Sequence, residues 1–182
     1  KLGTPIQFYR ECAYYASKGM VAVSVDYRIG YLHHSTPFES FEDAKDAICW
    51  LRSHALDYQL DPDKIAVAGG SAGGHLAAAL GTIGSDETVP AGYRPNLSVL
   101  YYPVIDMVSR GYGFPEIKRD FEKISPIHHV SEATPSTLIL LGTKDPIVSV
   151  ETIEAYQDKL LQKGVDCELH LFEGAGHPIF LY

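Results

Sequence analysis

Gly69, Ser71 and Gly73 stand in the pattern GxSxG within "IAVAGGSAGGHLAAAL", residues 65–80. An apolar, strand-like run meets a knot of glycines around one hydroxyl, and an alanine-rich helical pattern follows. That context suits a nucleophile. A sharp strand-to-helix turn lifts a serine Oγ clear of the backbone, and glycines remove Cβ atoms where strand and helix crowd. The helix start then aims N–H groups at negative charge developing beside the serine. Spelling excludes two other glycine-rich turns. A phosphate-binding loop needs Lys after its last glycine, and here His75 follows Gly74. A dinucleotide-binding turn needs GxGxxG, and Ser71 stands where the second glycine belongs.

A serine hydroxyl is a weak nucleophile until a histidine, held by a carboxylate, takes its proton. An elbow of this kind predicts the chain order Ser, then Asp or Glu, then His. His33, His34 and His54 precede Ser71 and fail that order. His75 lies on the helix that the serine starts and reads as a packing residue behind the site. His128 and His129, in "SPIHHV", are expected on a short surface helix, and His170 in mid-strand. His177 sits in "EGAGHPIF", a glycine-rich loop past the last strand, and is the expected base. Asp145 and Asp106 both end strands downstream of Ser71. Asp145 is favoured, because its strand directly precedes the one leading to His177.

These residues need a scaffold that gathers strand ends on one rim. Strands are expected over 21–27, 65–70, 97–106, 137–145 and 167–177, and helices over 6–18, 41–58, 72–80 and 149–163. The middle three strands are nearly all apolar, as in parallel strands covered on both faces; the last alternates, as an edge strand does. Phe41, Ala44, Ile48, Leu51 and Ala55 form one helical stripe. Ser149 caps the last helix and Gly164 follows it. Alternation of the two element types means βαβ units and a mainly parallel sheet flanked by helices on both faces. The 182 residues suit one domain, 1–182, with a small cap-like insertion over about 107–135.

Composition narrows the partners. A net charge of −8 with no Lys/Arg run disfavours nucleic acid and anionic membranes. No apolar run approaches the roughly 20 residues of a membrane helix. Three separated cysteines, Cys12, Cys49 and Cys167, without CxxC, read as buried free thiols rather than a disulfide scaffold. No metal-ligand spacing occurs, so no cofactor is expected. The chain does not open on Met, and the compartment, cytoplasmic or secreted, is left open.

Together "GGSAGGHLA", "VAVSVDYR", "DPDKIAVAGG", "PSTLILLGTKDPIV" and "FEGAGHPIF" resemble the α/β-hydrolase serine esterases, in the branch of hormone-sensitive-lipase-like and carbohydrate-acetyl-esterase-like enzymes. The resemblance covers almost the whole chain. It implies Ser71 as nucleophile, Asp145 as acid, His177 as base and the Ala72 N–H as one oxyanion donor. The "DYR" motif falls on Asp26, Tyr27 and Arg28, near the site and structural. The family's HGGG-type loop, which supplies further oxyanion donors, has no counterpart here; "KLGTPIQFYR" resembles the stretch just after it. The sequence is therefore expected to begin inside a longer chain, lacking the N-terminal strands and that loop, with a gap in its sheet. The implied activity is hydrolysis of a small-molecule ester with a short acyl group, such as acetyl on a sugar. Tyr101, Tyr102, Tyr112 and Phe114 are candidates to stack on such a substrate, or to pack the core. The rival readings are a prolyl-oligopeptidase-like peptidase, which needs a further gating domain, and a non-catalytic binding protein of the same fold.

Overall fold

The computed structural model describes residues 4–84, 91–107 and 120–179. The elements run in the order α1 (Tyr9–Ser17), α2 (Gly30–His33), α3 (Pro37–Ser53), β1 (Ala66–Gly70), α4 (Ala72–Thr82), β2 (Leu97–Tyr101), α5 (Phe121–Ile124), β3 (Ser136–Gly142), α6 (Val150–Gln162) and β4 (Cys167–Phe172). Short 3₁₀ turns lie at Pro5–Phe8, Ala91–Tyr93 and Pro126–His128. The four strands form one sheet in the order β1-β2-β3-β4, every neighbour parallel. All four C-terminal ends therefore lie on one rim, where sites form in open parallel sheets.

Strand alternation sorts the faces. Val67, Leu100, Ile139 and Leu141 are buried in one cluster with Leu76 and Leu80 of α4 and Ile153, Tyr156 and Leu160 of α6. α4 lies along β1 and β2, and α3 packs on α4 through the stripe Phe41, Ala44 and Ile48. α1 reaches the opposite face, where the Tyr15 and Tyr101 hydroxyls stand 3.4 Å apart. Ala66 and Ala68 on that face are exposed. No described helix is long and apolar enough to cross a membrane.

Several boundaries differ from expectation, each for a local reason. The strand expected over 21–27 does not form, and Val21, Val23 and Val25 are exposed. A strand exists only through a ladder partner, and among the described residues the sheet holds only β1 to β4, with β1 at one edge pairing with β2 alone. α3 begins at Pro37 because Thr36 and Glu39 make a capping box, spelled TPFE in the sequence. It ends at Ser53, before a turn that puts Gln59 at φ 55. β2 stops at Tyr101 because Tyr102 turns to φ 36 and Pro103 has no N–H to donate. Ser149 caps α6 by accepting from the Thr152 N–H, and Gly164 follows at φ 74. Cys49 is exposed rather than buried, while Cys12 and Cys167 are half-buried; all three are free. Residues 108–119, part of the expected cap-like insertion and including Tyr112 and Phe114, lie outside the described residues.

Gly142 ends β3 against the loop after β4. A Cβ there would stand 2.3 Å from the Ala175 carbonyl oxygen and 2.6 Å from that of Gly176. Both obstacles are backbone, so Gly142→Ala is expected to push the 173–177 loop outward. The cost should be about 1–3 kcal/mol, as for other overpacked sites. Thermal unfolding of this variant against wild type measures it.

Candidate active site

Ser71 is the hinge between β1 and α4. Its backbone stands at φ 55, ψ −115, outside both helical and extended space. The turn is held from three sides. The Ser71 N–H donates to the Tyr101 carbonyl at the end of β2 (3.0 Å), and the His75 N–H donates back to the Ser71 carbonyl (2.9 Å). A Cβ on Gly69 would lie 2.2 Å from the Gly73 oxygen, and one on Gly74 would lie 2.9 Å from Pro103 Cα. Gly69 and Gly74 thus answer to close backbone approach, whereas a Cβ on Gly73, the second glycine of the GxSxG pattern, would meet nothing within 4 Å. As the first residue of α4, Ala72 has an N–H with no acceptor inside the helix.

Asp145 and His177 come from the turns after β3 and β4, which are laced together. The Thr143 N–H donates to the Phe172 carbonyl (3.0 Å) and the Lys144 N–H to that of Ala175 (2.9 Å). The Gly174 N–H donates to Thr143 Oγ1 (2.8 Å). The Asp145 side chain is wholly buried, and its Oδ1 accepts from the Ile147 (2.8 Å) and Val148 (3.0 Å) N–H groups. Its Oδ2 accepts from His177 Nδ1–H at 2.7 Å. With that nitrogen donating, Nε2 carries the lone pair and accepts from the Ser71 hydroxyl at 2.8 Å. Hydroxyl, imidazole and carboxylate thus form one chain of hydrogen bonds across three strand ends.

The other candidates stand apart from this chain. Asp106 lies with its Oδ1 buried, 4.0 Å from His128 Nε2. His33 accepts from the Ile29 N–H, His129 donates to the Glu122 carbonyl, and His170 pairs with Glu168. His54 stacks on Trp50. His75 is buried, its Nε2–H donating to the Ile124 carbonyl at 2.7 Å, so it ties α4 to α5. Arg28 of the DYR motif forks onto the Asp43 carboxylate, which this contact holds below the usual range, and so anchors residues 20–29 to α3. No cluster of metal-ligating side chains occurs among the described residues. The sequence offers Tyr102 as an aromatic to stack on substrate or to pack the core; the structure buries it, with its ring 4.5 Å from that of His177. Only its place after β2, ahead of Pro103, hinted at this in the sequence.

The BD-FAE family profile matches residues 5–113. The chain belongs to the BD-FAE family. Its fold is the α/β-hydrolase fold. The structure of Thermogutta terrifontis esterase 2 phosphoramylated by tabun superposes with a TM-score of 0.90 at 36% identity, over 99% of this chain and 70% of that one. The same esterase has been solved with propionate and with butyrate bound. Among curated proteins, the probable carboxylic ester hydrolase LipM of Mycobacterium tuberculosis is 28% identical over 81% of this chain. The acetylxylan esterase of Xylanibacter ruminicola is 25% identical over 93% of it. The chain spans 39% and 36% of those two proteins' lengths.

His75 makes a test of the packing around the elbow. Burial holds its pKa below the ordinary 6.5 of histidine, more strongly than the Ile124 carbonyl raises it. Below pH 6.5 the unfolded chain therefore takes up a proton that the folded chain refuses. Stability is then lost as pH falls, by up to about 1.4 kcal/mol per pH unit from this group. Urea titrations between pH 7 and 5 should show that slope in wild type and a shallower one in His75→Gln. Equal slopes would contradict it.

Proposed function

We propose that this chain carries the catalytic apparatus of a serine carboxylic ester hydrolase for short-acyl esters, acetyl groups on carbohydrate among them. The observation that carries the reading is the continuous chain from Ser71 Oγ through both nitrogens of His177 to buried Asp145. Ser71 Oγ attacks the ester carbonyl carbon while His177 Nε2 takes its proton. Asp145 keeps the imidazole in the tautomer that can accept this proton and stabilises the imidazolium that results. The carbonyl oxygen becomes an oxyanion and accepts the Ala72 N–H. Collapse expels the alcohol, which His177 protonates, leaving an acyl group on Ser71. Water then attacks the acyl carbon with His177 as base, releasing the acid and restoring the serine.

The esterases among the relatives support ester chemistry. The LipM and esterase 2 names describe ester hydrolases, and the propionate and butyrate bound to esterase 2 are short acids. The acetylxylan esterase supports acetylated carbohydrate as one substrate class. A binding protein of this fold has no use for a buried carboxylate aimed at an imidazole that faces a strained serine.

A fluorophosphonate should label wild type once, on Ser71, as read by peptide mass spectrometry, and Ser71→Ala should take no label. His177→Ala should slow labelling by at least ~10³-fold, and Asp145→Asn by ~10²–10⁴-fold, as in other triads. Labelling at wild-type rate in His177→Ala would overturn the assignment. On 4-nitrophenyl esters, kcat/KM should fall as the acyl chain lengthens from acetyl to octanoyl.

A further inference from the structure

Two of the strained backbones in this molecule meet at the site. Among the described residues, four non-glycines have positive φ, and Ser71 (φ 55) and Tyr102 (φ 36) are two of them. The Tyr102 N–H donates to the Leu140 carbonyl at 2.7 Å, one residue beyond the β2–β3 ladder. Its neighbours on both sides are engaged with the elbow: the Tyr101 carbonyl accepts from the Ser71 N–H, and Pro103 packs against Gly74. So fixed, residue 102 turns its side chain inward, only 4% exposed, onto the imidazole of His177. The ring centroids are 4.5 Å apart and the planes tilted by 58°. A bulky aromatic is a poor choice for left-handed backbone, where Asn or Gly fits better. The ring is what this position sets against the imidazole.

We propose that Tyr102 is a positioning residue, its ring forming the wall that fixes the His177 imidazole in the orientation linking Asp145 to Ser71. The two imidazole hydrogen bonds, 2.7 and 2.8 Å, fix its two nitrogens but leave its faces to packing. The tyrosine ring packs against the imidazole at a tilt of 58°. It blocks rotation of the imidazole about its bond to Cβ and keeps water from the Nδ1–Asp145 contact. The role assigned here is the ring's; burial, with the Asp145 charge nearby, pushes the phenol up to about 12.

This inference rests on the esterase reading, and its test separates the two. Three variants are compared with wild type: Tyr102→Phe keeps the ring, Tyr102→Asn tolerates the backbone without a ring, and Tyr102→Leu keeps apolar bulk. Fluorophosphonate labelling of Ser71 should slow by about 10²-fold in Asn and Leu, the cost of misplacing a reacting group by ~1 Å. Tyr102→Phe should restore it. On 4-nitrophenyl acetate the loss should fall on kcat, with KM little changed. The low-field proton resonance of His177 Nδ1–H, assigned by its absence in His177→Gln, should persist in Phe and broaden or vanish in Asn and Leu. Circular dichroism identifies any variant that fails to fold, and the other ringless variant then carries the comparison. Folded Asn or Leu variants that label at wild-type rate and keep the resonance overturn the proposal. An unreactive wild type whose resonance still depends on the ring would overturn the esterase reading and leave Tyr102 in its role. An unreactive wild type with no such resonance would overturn both.

Discussion

Ser71 holds its backbone at φ 55 and ψ −115, a region that costs a residue with a side chain on the order of 1–3 kcal/mol. Such a turn persists only where its surroundings leave no alternative, and here they do not. The N–H of Ser71 is taken by β2, its carbonyl by the first turn of α4, and the backbone beside it passes too close for a Cβ at Gly69 or Gly74. Strain and crowding thus have one cause, the abrupt passage from a parallel strand to a helix packed on that strand. The consequence is chemical. The hydroxyl stands clear of the sheet, and the first N–H of α4 is left without a helical acceptor beside it.

Parallel pairing does the rest. Because β1, β2, β3 and β4 run the same way, the turns at their C-terminal ends all emerge on one rim. The turns after β3 and β4 are laced by backbone hydrogen bonds, and this sets the Asp145–His177 distance independently of the serine. The buried carboxylate accepts from two backbone N–H groups and the imidazole N–H, which orients it and offsets the cost of removing it from water. The imidazole then has one lone pair left, aimed at Ser71. Each component is placed by backbone, and side-chain rotamers close only the last few ångströms.

Much of this could be read from residues alone. GxSxG after an apolar run marked the elbow; chain order left Asp106 and Asp145 and the later histidines as candidates, and their places at strand ends favoured Asp145 and His177. Parallel order came from the alternation of apolar runs with helical stripes. What escaped were features set by distant backbone. The run over 21–27 has strand-forming residues, yet pairing is a property of two segments and its neighbour is not among the described strands. The end of β2 at Tyr101 depends on a positive φ at a tyrosine, which no residue preference announces. The start of α3 was legible, since Thr36 and Glu39 spell a capping box, but the apolar stripe drew attention four residues downstream. Tyr102 was visible as an aromatic and invisible as a neighbour of His177, because the two are brought together by a loop packed across the sheet rim.

The central claim is that catalysis passes through an acyl group on Ser71, and acid quenching of steady-state turnover tests it most directly. Wild type mixed with 4-nitrophenyl acetate, quenched within milliseconds and digested should yield the peptide bearing Ser71 with one acetyl group. That species should form before steady state, decay once substrate is spent, and be absent from Ser71→Ala. Turnover with no acetyl on that peptide, or with acetyl on another residue that appears and decays at the catalytic rate, would contradict the account.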